Sequence, residues 1–321
     1  MSPLLGTIAA FAGVVAVSYL IDALRRPPRA PDVLPWAPHI PIRHVSLKGI
    51  RLRYIEAGSG APLVLLHTMR TQLDLFQRVI PALATRYRIY AIDLPGHGHS
   101  DIPATDYTAP FFIGVVAEFL EQLDLHDLVL VGESIGGTIA LGLAARGNPR
   151  VRAVVAINPY DYDRGRGLQR VSPMSWLMLA VNDVPLAGGT VARLRQYRVV
   201  KHILDGGLHR EPGLPTPLAR EIYDVGNRAG HARAFASLVH HWPSWEAERE
   251  RYGDIRVPVL LLYGEHDWSR ADERVETARR VPGAASQTVE SAGHFLSFDA
   301  PEDVIQRVSE FVDQLPARLP G

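Results

Sequence analysis

The run Val131-Gly132-Glu133-Ser134-Ile135-Gly136-Gly137 follows an apolar stretch at residues 127–131 and precedes an alanine- and leucine-rich stretch at residues 138–145. That pattern reads as strand, sharp turn, helix. Small residues at Gly132 and Gly136 let strand and helix approach closely, and the turn between them forces the serine backbone into a strained conformation. The hydroxyl of Ser134 is thereby presented to solvent at a helix N-terminus. Glycine and serine are common in turns, so the motif gains weight from its company. A second apolar run at residues 257–263 leads into Gly264-Glu265-His266-Asp267, and Ser291-Ala292-Gly293-His294-Phe295 comes later. Serine first, a carboxylate after a later strand and histidine last is one chain order for nucleophilic catalysis, with Ser134, Asp267 and His294 as the candidates.

A fourth motif is Asp93-Leu94-Pro95-Gly96-His97-Gly98-His99-Ser100. With these four motifs the chain resembles the α/β-hydrolase superfamily, in particular its capped serine hydrolases, from about residue 43 to the C-terminus. The resemblance implies an α/β fold: a mostly parallel twisted sheet with helices on both faces. Apolar runs at residues 63–66, 87–92, 128–131, 151–157 and 257–263, with helical segments between, fit that architecture. Alternating runs at 44–47 and 52–56 read as an opening antiparallel pair joined by Lys48-Gly49. The motifs fall at the C-terminal strand ends, where such sheets bind ligands. A last helix is expected over residues 301–314, with Asp299 and Pro301 as start signals.

Residues 3–21 carry no charge, and these 19 residues would form a helix roughly 29 Å long, close to the apolar thickness of a bilayer. The expectation is a single-pass transmembrane anchor over residues 1–24, with the lipid bilayer as partner. A signal peptide wants a positive n-region and a shorter apolar core, whereas here the basic residues Arg25, Arg26 and Arg29 follow the stretch. A helix packed on a soluble domain is the third reading. For an anchor, that charge placement puts the catalytic domain in the cytoplasm. Small residues at Gly6, Ala9, Ala10, Gly13 and Ala16 would let two such helices meet in a homodimer, though an alanine-rich span has that spacing anyway. Residues 25–42 are a Pro/Arg-rich linker, expected to be a stiff spacer that decouples the anchor from the fold.

The remaining division is a hydrolase core at 43–160 and 251–321, interrupted at 161–250 by an insertion too long for a bare loop. Relatives carry a helical cap there, and apolar clusters at 176–181 and 234–239 suit short helices. Trp176, Met178, Trp242 and Trp245 read as cap core. Basic and acidic residues number 34 each, so no overall field draws the chain to nucleic acid. The absence of cysteine excludes disulfides, thiol catalysis and cysteine-bound zinc.

Serine is a poor nucleophile at neutral pH, so His294 is assigned to take its proton and Asp267 to hold the imidazole. Asp161, after the 151–157 run, is the alternative acid. The family implies an oxyanion hole built from the N–H of Ile135 and an N–H of the loop after residues 63–66, which reads His67-Thr68-Met69-Arg70-Thr71. Relatives have His-Gly there. Thr68 occupies the glycine position and Met69 is the expected donor, although threonine tolerates positive φ poorly. Arg70 is a candidate contact for an anionic substrate group. His97, His99 and Asp101 lie within the glycine turn and are not read as a metal site; Glu133 is read as a favourable charge at a helix start. An aspartate nucleophile would point to a dehalogenase or epoxide hydrolase, which Ser134 disfavours. The expected activity is ester hydrolysis through an acyl-enzyme, without cofactor or metal, on a small or lipophilic ester. Carbon–carbon bond hydrolysis, amide hydrolysis and acyl transfer remain open on the same residues, as does a non-catalytic binding role.

Overall fold

The computed structural model describes residues 2–25, 28–182, 184 and 186–316. Arg26 and Pro27 of the expected linker lie outside the described residues. One eight-stranded sheet holds β1 (Ile42–Leu47), β2 (Ile50–Ala57), β3 (Pro62–Leu66), β4 (Arg88–Ile92), β5 (Leu128–Glu133), β6 (Val151–Ile157), β7 (Val259–Gly264) and β8 (Ala285–Val289). The spatial order is β1-β2-β4-β3-β5-β6-β7-β8. β1 and β2 pair antiparallel, as do β2 and β4, and every later pairing is parallel. Every residue of β5 and β7 is buried. Strands covered on both faces must be continuous apolar runs, which is why they stand out in the sequence. β8 does not: at the sheet edge only Val289 is buried, and Ala285, Ser286, Gln287 and Thr288 face outward or half outward.

The helices in chain order are α1 (Pro3–Leu24), α2 (Ile80–Leu83), α3 (Ala109–Gln122), α4 (Ile135–Ala145), α5 (Pro173–Ala180), α6 (Ala187–Leu194), α7 (Tyr197–Asp205), α8 (Thr216–Val225), α9 (His231–His240), α10 (Pro243–Ala247), α11 (Ala271–Arg280), α12 (Leu296–Asp299) and α13 (Pro301–Asp313). α3 and α4 bury their apolar residues on one face of the sheet, and α2 and α13 on the other. α5 to α10 lie between β6 and β7 and form a helical layer of their own. The chain leaves β3 toward β4 on one side, and β5 lies on the other side of β3. Loops diverge above that point, which opens a crevice at the C-terminal ends of β3 and β5.

Two expectations about the N-terminal region need correction. The spacer was expected to remain outside the fold, but Leu34, Ala37 and Ile40 are buried in the core cluster on the α13 side of the sheet. Trp36 packs there as well and donates from Nε1 to Asp74 Oδ1 at 2.7 Å. Prolines stop a helix, but apolar residues between them still seek burial. Nor is α1 decoupled. It is 22 residues long and apolar enough to cross a membrane, a property that signal sequences share. Most of it is exposed, yet Val15, Ser18, Asp22 and Arg25, spaced three and four apart, form a stripe that is not. That end docks on α6: Arg193 donates from Nε to Ser18 Oγ at 3.0 Å and lies 3.7 Å over the Tyr19 ring, while Arg25 donates to the Arg193 carbonyl.

Two of these three contacts come from the Arg193 side chain, and the third from its backbone carbonyl. Arg193→Ala removes a cation–π contact worth roughly 0.5–2 kcal/mol and the hydrogen bond that Ser18 Oγ accepts, while the Ser18 hydroxyl keeps its own bond to the Val15 carbonyl at 2.7 Å. Hydrogen exchange should quicken at amides of α6 and of residues 15–25, with β5 and β6 unchanged. Equal protection in both proteins would show that α1 is held by something else.

Candidate active site

The turn after β5 holds Ser134 at φ 58° and ψ −118°, with its N–H donated to the Ile157 carbonyl at 2.8 Å. Its flanking glycines are sterically required. A Cβ on Gly132 would lie 2.0 Å from the Gly136 carbonyl oxygen, and one on Gly136 would lie 2.1 Å from that of Leu66. His294 Nε2 stands 2.9 Å from Ser134 Oγ, and His294 Nδ1 bonds to Asp267 Oδ1. The other oxygen of Asp267 accepts from the N–H of Ser269 at 3.0 Å and from the Ser269 hydroxyl. Burial alone would raise the Asp267 pKa, but His294 and the Ser269 donors outweigh it and hold the carboxyl below its usual range. Asp267 is thus ionised at neutral pH, and its charge fixes the proton of His294 on Nδ1, leaving Nε2 to accept from serine. Asp161, the alternative acid, is committed elsewhere: it pairs with Arg249 at 3.2 Å and accepts from Thr277 at 3.1 Å. One expectation fails here, because Ser134 is only 1% exposed and lies beneath the helical layer rather than in open solvent.

Ile135 is the first residue of α4, and Met69 lies in the loop after β3. Among the described residues neither backbone N–H has a backbone acceptor, so both are free to donate. The strain expected at Thr68 sits two residues later, at Arg70 with φ 60°. Thr71 N–H donates to the Thr68 carbonyl at 3.3 Å, and this turn transfers the left-handed step to Arg70. His67 braces the loop. Its Nε2 accepts from the N–H of Leu94 at 3.0 Å and its Nδ1 lies 2.7 Å from the Thr68 carbonyl, so the ring is neutral with its proton on Nδ1. Burial pulls its pKa down, consistent with that state.

A family model for the α/β-hydrolase fold matches residues 61–301. The chain belongs to this family. It is 29% identical over 287 residues to a haloalkane dehalogenase of Psychrobacter cryohalolentis, covering 83% of this chain and 89% of the relative. It is 27% identical to a 2-(acetamidomethylene)succinate hydrolase of Mesorhizobium japonicum, covering 86% and 96%. A solved structure described as a membrane phospholipase A superposes with a TM-score of 0.73 at 24% identity, covering 97% of this chain and 96% of that one.

In this α/β hydrolase the loops around Ser134 are held by buried polar side chains whose roles sequence reading assigned otherwise or missed. Asp299, read as a helix start signal, instead accepts from four backbone N–H groups, those of Gly293, His209, Arg210 and Glu211, at 2.8 to 2.9 Å. It ties the histidine loop to the insertion. Asn158, at the end of β6, donates to the carbonyls of Gly293 and His294 and accepts from Gly264 N–H at 2.9 Å. Asp93 accepts from the N–H groups of Leu73 and His99, both at 2.8 Å, and pairs with buried Arg53 at 3.1 Å. A Cβ on Gly98 would meet that carboxylate at 2.0 Å, which explains the second glycine of the motif. His97 and His99 turn to other partners, the Pro95 carbonyl at 2.9 Å and Glu221 at 3.6 Å.

Trp268, the residue after Asp267, was not singled out from the sequence, although an aromatic beside the acid was a signal. Its ring stacks on His294 with centroids 3.7 Å apart and planes 12° from parallel. An indole face favours a cation, so the stack suits a protonated imidazole at this position. Beyond Trp268 and Met69 a largely apolar cleft opens between core and insertion. Met178 lines it, Trp242 and Trp245 are buried, and Trp176 is 56% exposed, so the four residues read as cap core divide three ways. Arg70 also faces the cleft, with its guanidinium 4.4 Å over the Phe235 ring.

Glu133 is not a charge at a helix start. It ends β5 fully buried, where Oε1 accepts from Ser297 N–H at 3.0 Å and Oε2 has no partner among the described residues. Burial pushes its pKa from 4.5 up to about 8, so at neutral pH it is a neutral clamp on the histidine loop. Below pH 4.5 folded and unfolded chains both hold this proton. Between 4.5 and about 8 only the folded chain keeps it, so this contribution to stability falls as pH rises. Glu133→Gln keeps the acceptor for Ser297 without the ionisation. Urea unfolding at pH 5 and pH 8.5 should show the variant gaining on the parent with pH, by on the order of 4 kcal/mol. An unchanged difference would mean that Glu133 ionises freely.

Proposed function

We propose that the protein is a serine hydrolase that cleaves carboxylic esters through an acyl-enzyme. The observation that carries this reading is the 2.9 Å contact from Ser134 Oγ to His294 Nε2, with Asp267 bonded to the opposite nitrogen. Serine adds to the ester carbonyl as its proton passes to His294, and the oxyanion meets the N–H groups of Met69 and Ile135. Collapse of the adduct expels the alcohol, protonated by His294. Water, deprotonated by the same imidazole, then attacks the acyl-serine, and release of the acid restores the hydroxyl.

A dehalogenase reading, suggested by one relative's name, fits poorly with this nucleophile. Displacement of halide from a saturated carbon by a serine oxygen would leave an ether, which water and imidazole do not cleave. Acyl transfer leaves an ester, which they do. Amide or carbon–carbon cleavage would share the acyl-enzyme and differ in the leaving group, so a panel of esters, amides and 1,3-dicarbonyl compounds ranks these activities directly. Ser134→Ala should lower ester turnover by several orders of magnitude with little change in stability, and His294→Ala comparably. Asp267→Asn should cost up to about 10⁴-fold by reversing the tautomer preference. A pure Ser134→Ala preparation with substantial activity would overturn the serine mechanism.

We also read α1 as a single membrane span, with Arg25 and Arg29 on the side of a cytoplasmic catalytic domain. Likeness over 97% of the chain to a membrane phospholipase A leaves about ten residues outside, fewer than the 22 of α1. From Pro3 to Val15 the helix rises only about 18 Å before it meets α6, short of the roughly 30 Å hydrocarbon core. Met174, Trp176, Leu177, Val184 and Leu186, on α5 and between α5 and α6, are further exposed apolar side chains that a lipid surface would cover. Full-length protein should sediment with membranes and require detergent for release. Recovery in the soluble fraction would refute the span.

A further inference from the structure

Two cations share the wall of the cleft, and neither meets a carboxylate. Arg70 comes from the loop after β3 and Arg195 from the junction between α6 and α7. Arg195 is 6% exposed. Its Nη1 donates to the Ala192 carbonyl at 3.2 Å and its Nη2 to Asn227 Oδ1 at 3.1 Å, but its buried Nε has no acceptor among the described residues. The contact of the Arg70 guanidinium is aromatic, with Phe235. Two further basic side chains lie near them, and of these Arg228 feels the carboxylates of Asp93 and Asp101. Arg228 has an unmatched buried Nε, and the His231 ring has an unmatched Nδ1. Burial, then Arg195, Arg70, His97 and Arg228 in turn, hold His231 well below the usual imidazole range. A carboxylate whose field reaches Arg195 is Asp22 of α1, which is itself bonded to Arg25 at 3.4 Å. Among the described residues no acid pairs with either guanidinium.

Burying a guanidinium such as Arg195 without an anionic partner is costly, and two cations that face one cavity also repel each other. A guanidinium offers its donors in a planar fork that matches the oxygens of a carboxylate or phosphate. The rest of the wall is apolar, with Leu179, Val191, Val200, Ile203 and Leu204 among its residues. We propose that Arg70 and Arg195 form an anion subsite beside the oxyanion loop, and that the substrate is an ester carrying a carboxylate or phosphate group on an aliphatic chain. Calling the ligand a substrate rests on the esterase reading; the anion subsite itself does not.

Two measurements separate these claims. First, the parent, Arg195→Gln and Arg195→Lys are assayed on 4-nitrophenyl butyrate, on the mono-4-nitrophenyl ester of glutaric acid, and on a chain-matched ester ending in phosphate. For the parent, kcat/KM on at least one anionic ester should exceed that on the neutral one. Arg195→Gln should lower the anionic-to-neutral ratio tenfold or more, chiefly through KM, and Arg195→Lys should retain part of it. The carboxylate and phosphate arms tell which anion fits. A ratio unchanged in Arg195→Gln overturns the subsite, whereas no turnover of any ester by the parent overturns the esterase reading alone. Second, calorimetric titration of the Ser134→Ala protein with monomethyl glutarate and with hexyl phosphate reads the subsite without catalysis. Binding should weaken at least tenfold when Arg195→Gln is added, and equal affinity, or no binding of either probe, would refute the proposal.

Discussion

The close approach of β5, α4 and β3 at Gly132 and Gly136 is the constraint on which the site depends. A Cβ at either position would stand only 2.0 or 2.1 Å from the opposing carbonyl oxygen, so neither accepts a side chain. The tight crossing sets the strained backbone of Ser134, and the Ile157 carbonyl holds it there through the serine N–H. It also starts α4 at Ile135, so one backbone feature yields both a raised hydroxyl and a free N–H beside it. Strain of this kind persists only where the surroundings over-determine it, and here β5 is buried at every residue and hydrogen-bonded on both sides.

Around that fixed point the other loops are positioned by buried acids and amides. Asp93 gathers the loop after β4, Asn158 joins β6 and β7 to the histidine loop, Asp299 fastens the same loop to the insertion, and Glu133 holds it from below. Each carboxylate oxygen that accepts backbone N–H groups replaces water that a loop would otherwise need, so irregular chain can be buried without orphaned donors. The arrangement trades tolerance for precision: losing any of these side chains leaves backbone N–H groups unmatched in the interior.

The sequence reveals those parts of the structure whose chemistry is local. Ser134, Gly132 and Gly136 lie within five residues, and the strands buried on both faces are continuous apolar runs, so elbow and sheet are legible directly. β8 is not, because an edge strand with one buried residue carries no apolar signature. Long-range roles are equally invisible. Asp299 stands where a helix start signal is expected, but its partners are about ninety residues earlier in the chain as well as next door. Trp176 and Trp242 are the same residue type in the same insertion, and only tertiary packing makes one exposed and the other buried. The docking of α1 on α6 likewise involves Arg193, one arginine among many in the sequence.

That docking gives α6 a position between the two ends of the molecule. Arg193 turns outward to Ser18 and Tyr19, while Arg195, two residues on, turns into the cleft. The Arg193 carbonyl takes the guanidinium of Arg25, and Asp22 on the same face of α1 acts electrostatically on Arg195. The contacts of α1 and the proposed anion subsite therefore meet on one short stretch of chain, residues 193–195. An N-terminal helix acting only as a tether would have no reason to place its final turns, with their charges, against the helix that lines the cleft.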